Sequence, residues 1–215
     1  MKRIATVLAL GAGAACSGDL PAASLVDGVR VLATRADPPY AMPGETVTLQ
    51  VLAVDGRSKQ RAPMRVFWMP TVCVNPPGDD YFGCYPTLRG RFPVDTDLSS
   101  TLVQGAQWAF TMPAGAIEMA NPHPGAGAPY GVAFAFVIAC AGQVQYRPVD
   151  SSASSPLAVP FRCLDDAGAP LGADDFVFAF TRVYAYATLR NANPVIDHLA
   201  IAGAAVPSSG ITLDH

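Results

Sequence analysis

This sequence predicts an all-β fold, an antiparallel β-sandwich with long loops, and three observations carry that expectation. Short runs rich in Val, Ile, Phe, Tyr and Thr follow one another, with Pro, Gly or Asp at each break. Helix signals are poor: the Ala-rich patches carry Gly and Pro at close spacing, which a helix interior does not tolerate. The 215 residues include 19 Gly and 20 Pro, a composition that suits many turns and few long helices. With 51% hydrophobic residues and only 14% charged, against about 25% in a typical domain, there is enough apolar material to offset chain entropy.

The first strand-like run is Val29–Ala33, and Asp37-Pro38-Pro39 breaks it. Met42-Pro43-Gly44 turns the chain into Thr46–Val54, which Asp55-Gly56 ends. Its alternation puts Val47, Leu49, Val51 and Ala53 on one face and Thr46, Thr48 and Gln50 on the other. That is the pattern of a half-buried antiparallel strand. Met64–Met69 and Gln107–Met112 follow, the latter stopped by Pro113. Tyr130–Ala139 is apolar throughout and reads as a strand buried on both faces. Leu157–Cys163 and Phe176–Tyr186 complete the set, the last with Phe176, Phe178 and Phe180 in phase. Many strands at short intervals without intervening helices indicate a sandwich or barrel, and short, unequal runs favour the sandwich.

Three connections are long: Pro70–Arg89, Pro113–Pro129, which holds His123, and the Ser-rich bend Pro148–Pro156. Long loops on a sandwich are functional or tolerated insertions. Cysteines lie at Cys16, Cys73, Cys84, Cys140 and Cys163. With Cys16 set aside, the other four permit three pairings. Cys73–Cys84 and Cys140–Cys163 are favoured, because each closes a local loop between strand-like runs. No CxxC spacing supports a zinc site, and His123 and His198 lie in unrelated contexts. The acidic pairs Asp79-Asp80, Asp95-x-Asp97, Asp165-Asp166 and Asp174-Asp175 offer oxygen ligands of the kind calcium takes. Their spacing is not that of an EF-hand, and Asp in turns is the simpler reading, so no metal and no cofactor are expected.

The N-terminus reads as an export signal. Lys2 and Arg3 form a basic start, and Ile4–Ala15 is an apolar stretch too short to span a membrane. Gly13, Ala14 and Ala15 lead into Cys16, and Ser17-Gly18-Asp19 begins a polar tether. This resembles the lipobox of bacterial lipoproteins, although Gly13 stands where that family usually has Leu. The resemblance implies cleavage before Cys16, lipidation of its thiol and a membrane anchor in the cell envelope; a plain secretory signal is the alternative. Removing Lys2 and Arg3 leaves 12 basic against 17 acidic residues, moving the net charge from −3 to −5. No basic stripe exists for phosphate neutralisation, so no nucleic-acid partner is expected.

Pro43-Gly44-Glu45-Thr46-Val47-Thr48-Leu49, followed by Val51, Val54 and Asp55-Gly56, resembles the opening of bacterial immunoglobulin-like domains. Trp68 in the third run is similar to the core tryptophan of that class. The resemblance covers about a quarter of the chain. It departs from antibody-type domains: the second strand has no cysteine, and Ile138 stands two before Cys140, where a tyrosine corner would be. The implied organisation is a signal peptide over 1–15, a tether over 16–24 and an immunoglobulin-like β-sandwich over 25–190. Residues 191–215 form a linker and the start of a second β domain, because Val26–Leu32 recurs loosely as Ile196–Ala202 after Asn191-Ala192-Asn193-Pro194.

For function, the sequence lacks Gly-x-Ser-x-Gly, His-Glu-x-x-His and a phosphate-loop lysine. No catalytic residue is selected, and the expectation is a non-enzymatic module that binds a partner or acts as a spacer at the bacterial surface. The alternatives are an accessory domain of an envelope enzyme with catalytic residues beyond 215, or a structural subunit of an envelope complex. The candidate binding loop is Asp79, Asp80, Tyr81, Phe82 and Tyr85, inside or beside the Cys73–Cys84 loop. A pinned loop bearing aromatics loses little entropy on binding, which suits a protein or glycan partner. The opposing possibility is that these rings pack back onto the sandwich.

Overall fold

The computed structural model describes residues 25–60, 62–120, 127–148, 159–195, 197–198, 200–201 and 204–207. The stretch read as a signal peptide (1–15), Cys16 and the stretch read as a tether, His123 and the serine bend 151–155 lie outside the described residues.

Two sheets face one another, the first antiparallel and the second antiparallel except for one short parallel pair. The first holds β1 (Val29–Asp37), β3 (Thr46–Asp55) and β7 (Gln107–Thr111), in the order β1-β3-β7. The second holds β2 (Tyr40–Ala41), β4 (Arg65–Trp68), β6 (Val103–Gln104), β8 (Tyr130–Cys140) and β11 (Phe176–Tyr186). Its order is β2-β11-β8-β4-β6, and β5 (Cys73–Val74) also pairs with β8. The first two strands link the sheets. β1 pairs with β3, Pro38 and Pro39 cannot donate to a ladder, and the chain then re-forms as β2, parallel to β11. At the next turn Gly44 has φ 80°, a left-handed conformation that favours glycine, and Glu45 N donates to Met42 O.

β8 organises the interior. Val132, Phe134, Phe136, Ile138 and Cys140 point to one face, and Ala133, Ala135 and Val137 to the other, all at 2% exposure or less. The small residues let the first sheet approach closely. There Val47, Leu49 and Val51 of β3, Phe110 of β7, Trp68 of β4 and Val183 of β11 form one core. The large residues need a different cover, and a third layer supplies it.

That layer comes from the long connection 70–102 and a hairpin of β9 (Gln143–Tyr146) and β10 (Phe161–Leu164). The connection folds as two single 3-10 turns, Pro77–Asp79 and Tyr81–Cys84, then the one-turn helix α1 (Tyr85–Leu88). Leu88, Phe92, Leu98, Val144, Tyr146 and Phe161 bury against the β8 face. Cys73 is bonded to Cys84, and Cys140 to Cys163. Both bridges run from the second sheet to the cap: β5 to the end of the second turn, and β8 to β10. Gly142 is required at the hairpin's root, because a Cβ there would lie 2.0 Å from Leu164 O.

The periodic runs appear as strands with shifted ends. β1 extends to Asp37, β4 covers only the centre of Met64–Met69, and β10 begins at Phe161. β2, β5, β6 and β9 have two to four residues each, too short for a period to show. Past β11, Arg190 Nη1 donates to Glu45 Oε2 at 2.5 Å and Asn193 Nδ2 to Ala36 O at 2.8 Å. Asn193, in the segment read as a linker, therefore touches β1, and Arg190 just before that segment holds the turn before β3. β12 (Ala200–Ile201) and β13 (Ala204–Ala205) form a minimal hairpin beyond it; Ile196, Leu199 and Ala202 of the expected repeat lie outside the described residues. No helix among the described residues is long and apolar enough to cross a membrane.

Candidate functional site

The cap places the five loop residues in separate roles. Asp80 starts the second turn: its Oδ1 accepts from Phe82 N and its carbonyl from Gly83 N. Asp79, at φ 53°, accepts from the Tyr130 hydroxyl at 3.1 Å and ties the turn to the start of β8. Burial, first, and that Asp79 contact hold the Tyr130 hydroxyl above its ordinary pKa. Tyr81 stacks on Phe180 of β11, ring centroids 4.2 Å apart, and so packs onto the sheet.

Phe82 and Tyr85 face elsewhere. With Pro86 and Arg89 from α1 and its end, and Tyr146 and Pro160 from the hairpin, they line a cleft of about 190 Å³. Phe82 and Tyr85 meet edge to face, at 5.9 Å and 89°. Tyr85 also leans on Phe178 and Phe136, with centroids at 6.3 and 6.5 Å. Tyr146 is buried, and Arg147 N donating to Pro160 O holds the hairpin wall beside it. Arg89 is exposed, and its guanidinium has no hydrogen-bond or ion-pair partner among the described residues. A cationic fork at the mouth of an apolar wall is suited to a carboxylate that carries a ring or other apolar body.

Tyr85 has a further property. Its hydroxyl is buried with no hydrogen-bond partner among the described residues, and burial pushes its pKa well above the ordinary phenol value. An unsatisfied buried hydroxyl costs stability, whereas an isosteric apolar ring does not. Tyr85→Phe should therefore keep or raise stability, by up to about 1 kcal/mol. Urea unfolding of the variant checks this, and a loss of that size instead would mean that the hydroxyl makes a bond this geometry does not contain.

The other acidic pairs meet in part. Asp27, Asp165, Asp166, Asp174 and Asp175 border a second cleft of about 360 Å³ with Arg57 and Lys59. Most of the acidic residues serve turns or ion pairs. Asp165 Oδ1 accepts from Ala167 N and Ala169 N, and Asp97 Oδ1 accepts from Ser99 N and its hydroxyl. Asp95 pairs with Arg162 at 2.6 Å. Among the described residues no three His, Cys, Asp or Glu side chains are grouped to hold a metal ion.

Arg57 is half-buried as a residue, its side chain 6% exposed. It forks onto Asp55, with Nε and Nη2 donating at 2.8 and 2.7 Å. Nη1 reaches Asp175 at 2.7 Å, and Nη2 also reaches Ala62 O at 2.8 Å. Sequence reasoning passed over Arg57 and Arg89. A lone Arg beside an Asp-Gly turn reads as surface charge, and Asp175 lies 118 residues further on. Arg89, two residues from Arg91, had no pattern of its own to mark it; only the fold of the cap brings it to Phe82 and Tyr85. Comparison with protein-family models, with curated proteins and with solved structures finds no match for this chain.

Proposed function

We propose that the chain is an immunoglobulin-like, non-enzymatic binding module of an exported lipoprotein. Cys16 anchors it to the cell-envelope membrane, and its cap holds a carboxylate-bearing sugar unit of a surface glycan. The observation that carries the binding reading is the cleft: apolar walls from Phe82, Tyr85 and Pro86, with Arg89, which has no hydrogen-bond or ion-pair partner among the described residues, at the rim. Sugar rings lie on apolar and aromatic faces, and a bidentate guanidinium selects the acid. One pyranose ring matches the cleft better than an extended peptide, which needs a groove several residues long. The cap is held at both ends by disulfides, so little entropy is lost when a ligand orders it.

The immunoglobulin-like assignment rests on strand order. β1-β3-β7 and β4-β8-β11 correspond to strands A-B-E and C-F-G of that sandwich, with no strand in the D position among the described residues. Trp68 on β4 lies fully buried between the sheets, where the class places its tryptophan. The lipid anchor rests on the lipobox-like Gly13-Ala14-Ala15-Cys16.

The test uses the mature chain with Cys16→Ser, which should leave the membrane fraction and incorporate no labelled fatty acid. On that protein, uronic-acid oligosaccharides should bind and their neutral counterparts should bind less well. Arg89→Ala should erase the preference for acid. Phe82→Ala should weaken both, by about 2 kcal/mol, with little change in melting temperature. Tyr81→Ala should act mainly on stability. Equal binding of acidic and neutral sugars by the parent, or binding indifferent to both Arg89 and Phe82, would reject the cleft as the site.

A further inference from the structure

The open edge of the first sheet carries an inference independent of the cleft. Sheet edges present unpaired N–H and C=O groups, and proteins blunt them with charge, proline, bulges, short length or a cover. The other described edges show such devices. β2 and β6 have two residues each. β1 has a bulge between Val31 and Ala33, carries Arg30 and Arg35, and lies against β11. The β9 side of the hairpin is covered by residues 94–98, through Asp95 N to Tyr146 O and Leu98 N to Val144 O. The β10 side is covered by 169–171, through Leu171 N to Cys163 O.

Among the described residues β7 has none of them. It is regular over Gln107–Thr111, pairs residue for residue with β3 from Thr46↔Thr111 to Gln50↔Gln107, and no described strand pairs with its other side. It contains no charge, proline or glycine. Gln107, Ala109 and Thr111 are exposed on the outer face, next to the uncharged Thr46, Thr48 and Gln50 of β3. Trp108 and Phe110 turn inward, stacked at 5.5 Å, with Trp108 still half-exposed at the sandwich rim.

We infer that β7 is a pairing surface for a second copy of this chain. An antiparallel two-fold through Ala109 satisfies the whole strand at once. Ala109 meets Ala109 on the axis, Gln107 lies opposite Thr111, and Trp108 lies opposite Phe110 of the second copy. Opposed residues in an antiparallel pair point to the same side, so this register brings the partly exposed Trp108 of each copy beside the buried Phe110 of the other and keeps the polar face polar. No like charges meet, and the small Ala109 leaves room on the axis. The result is a six-stranded sheet, β1-β3-β7 doubled, with an isologous interface.

The test is sedimentation equilibrium of the mature chain with Cys16→Ser, from micromolar to millimolar, with Trp fluorescence read on the same samples. Dimers are expected, with a blue shift as Trp108 loses its exposure, since Trp68 is already buried. Ala109→Lys sets two ammonium groups on the axis and should raise the dissociation constant roughly tenfold or more. Thr111→Lys, opposite Gln107 and off the axis, should weaken it less and stands in if Ala109→Lys fails to fold. Leu52→Lys, on an exposed leucine of β3 that pairs with Ala33 of β1 and lies beyond the β7 register, should leave the dimer intact. A monomer at every concentration overturns the inference. So does a dimer that Leu52→Lys disrupts and both β7 lysines leave unchanged.

Discussion

Arg57→Ala should lower stability by about 3–5 kcal/mol, more than any other single charge removal in the described structure. The Arg57 side chain is 6% exposed, and the carboxylates it holds, Asp55 and Asp175, are 14% and 29% exposed. Removing the cation strands Asp55 at the end of β3 and Asp175 just before β11, so the link between the two sheets at that end becomes a repulsive pair. A surface pair would lose under about 1 kcal/mol, because water screens it. The pH dependence has a definite sign. The Asp55 pKa is lowered, chiefly by its hydrogen bonds from Arg57. Its contribution is therefore fully present above the unfolded carboxylate pKa of about 4, and is lost as pH falls through the lower folded value. Glu45 adds in the same direction, its pKa held down first by the Met42 backbone N–H and then by Arg190. Urea midpoints at neutral pH and near pH 3 measure both effects. The parent should lose stability between them, and Arg57→Ala should lose less, having already given up the Asp55 part. A variant within about 0.5 kcal/mol of the parent at neutral pH would mean that the clamp is solvated and structurally idle.

Such a clamp shows where sequence legibility stopped. Long strands were readable because their pattern accumulates over their length: Thr46–Val51 alternates polar with apolar, Phe176, Phe178 and Phe180 recur in phase, and Tyr130–Ala139 is apolar throughout. The two bridges were readable because each closes a local loop. The third layer was not. Leu88, Phe92, Leu98 and Leu102 are spaced irregularly along a connection with no helix or strand period, yet all four are buried. They are brought together by the β8 face beneath them, a partner more than 25 residues away in the chain. The candidate loop divided for the same reason. Tyr81 and Phe82 are neighbours of similar chemistry, and one turn of the backbone sends the first onto Phe180 and the second toward the cleft. Composition identified the aromatics; only the sheet's position decides which of them is wall and which is rim.

Phe136→Ala is the second large effect expected, at about 3–5 kcal/mol, and it connects the core to the cleft. Phe136 is fully buried at the middle of β8, register partner of Phe180 and stacked on Phe178 at 5.3 Å and 16°. Tyr85 leans on both Phe136 and Phe178, and Phe161 of the hairpin stacks on Phe178 at 5.4 Å. Truncation thus opens a cavity beneath α1 and the hairpin together. The bridge at Cys73–Cys84 prevents the cap from settling into the space, so the cavity term should persist instead of relaxing away. The neighbouring residue gives the contrast. Ala135 faces the first sheet in a gap sized for a methyl group, so Ala135→Leu should cost about 1–3 kcal/mol by over-packing and leave the cap in place. Denaturation midpoints rank the two variants, and the near-ultraviolet circular dichroism contributed by Tyr81, Tyr85 and Tyr146 of the cap, assigned through Tyr→Phe variants, separates their mechanisms. Phe136→Ala should lose that signal before global unfolding, and Ala135→Leu should keep it. If both variants lost it equally, the cap would have no packing of its own, and the cleft at its rim would follow the sandwich as a whole rather than the face of β8 that carries it.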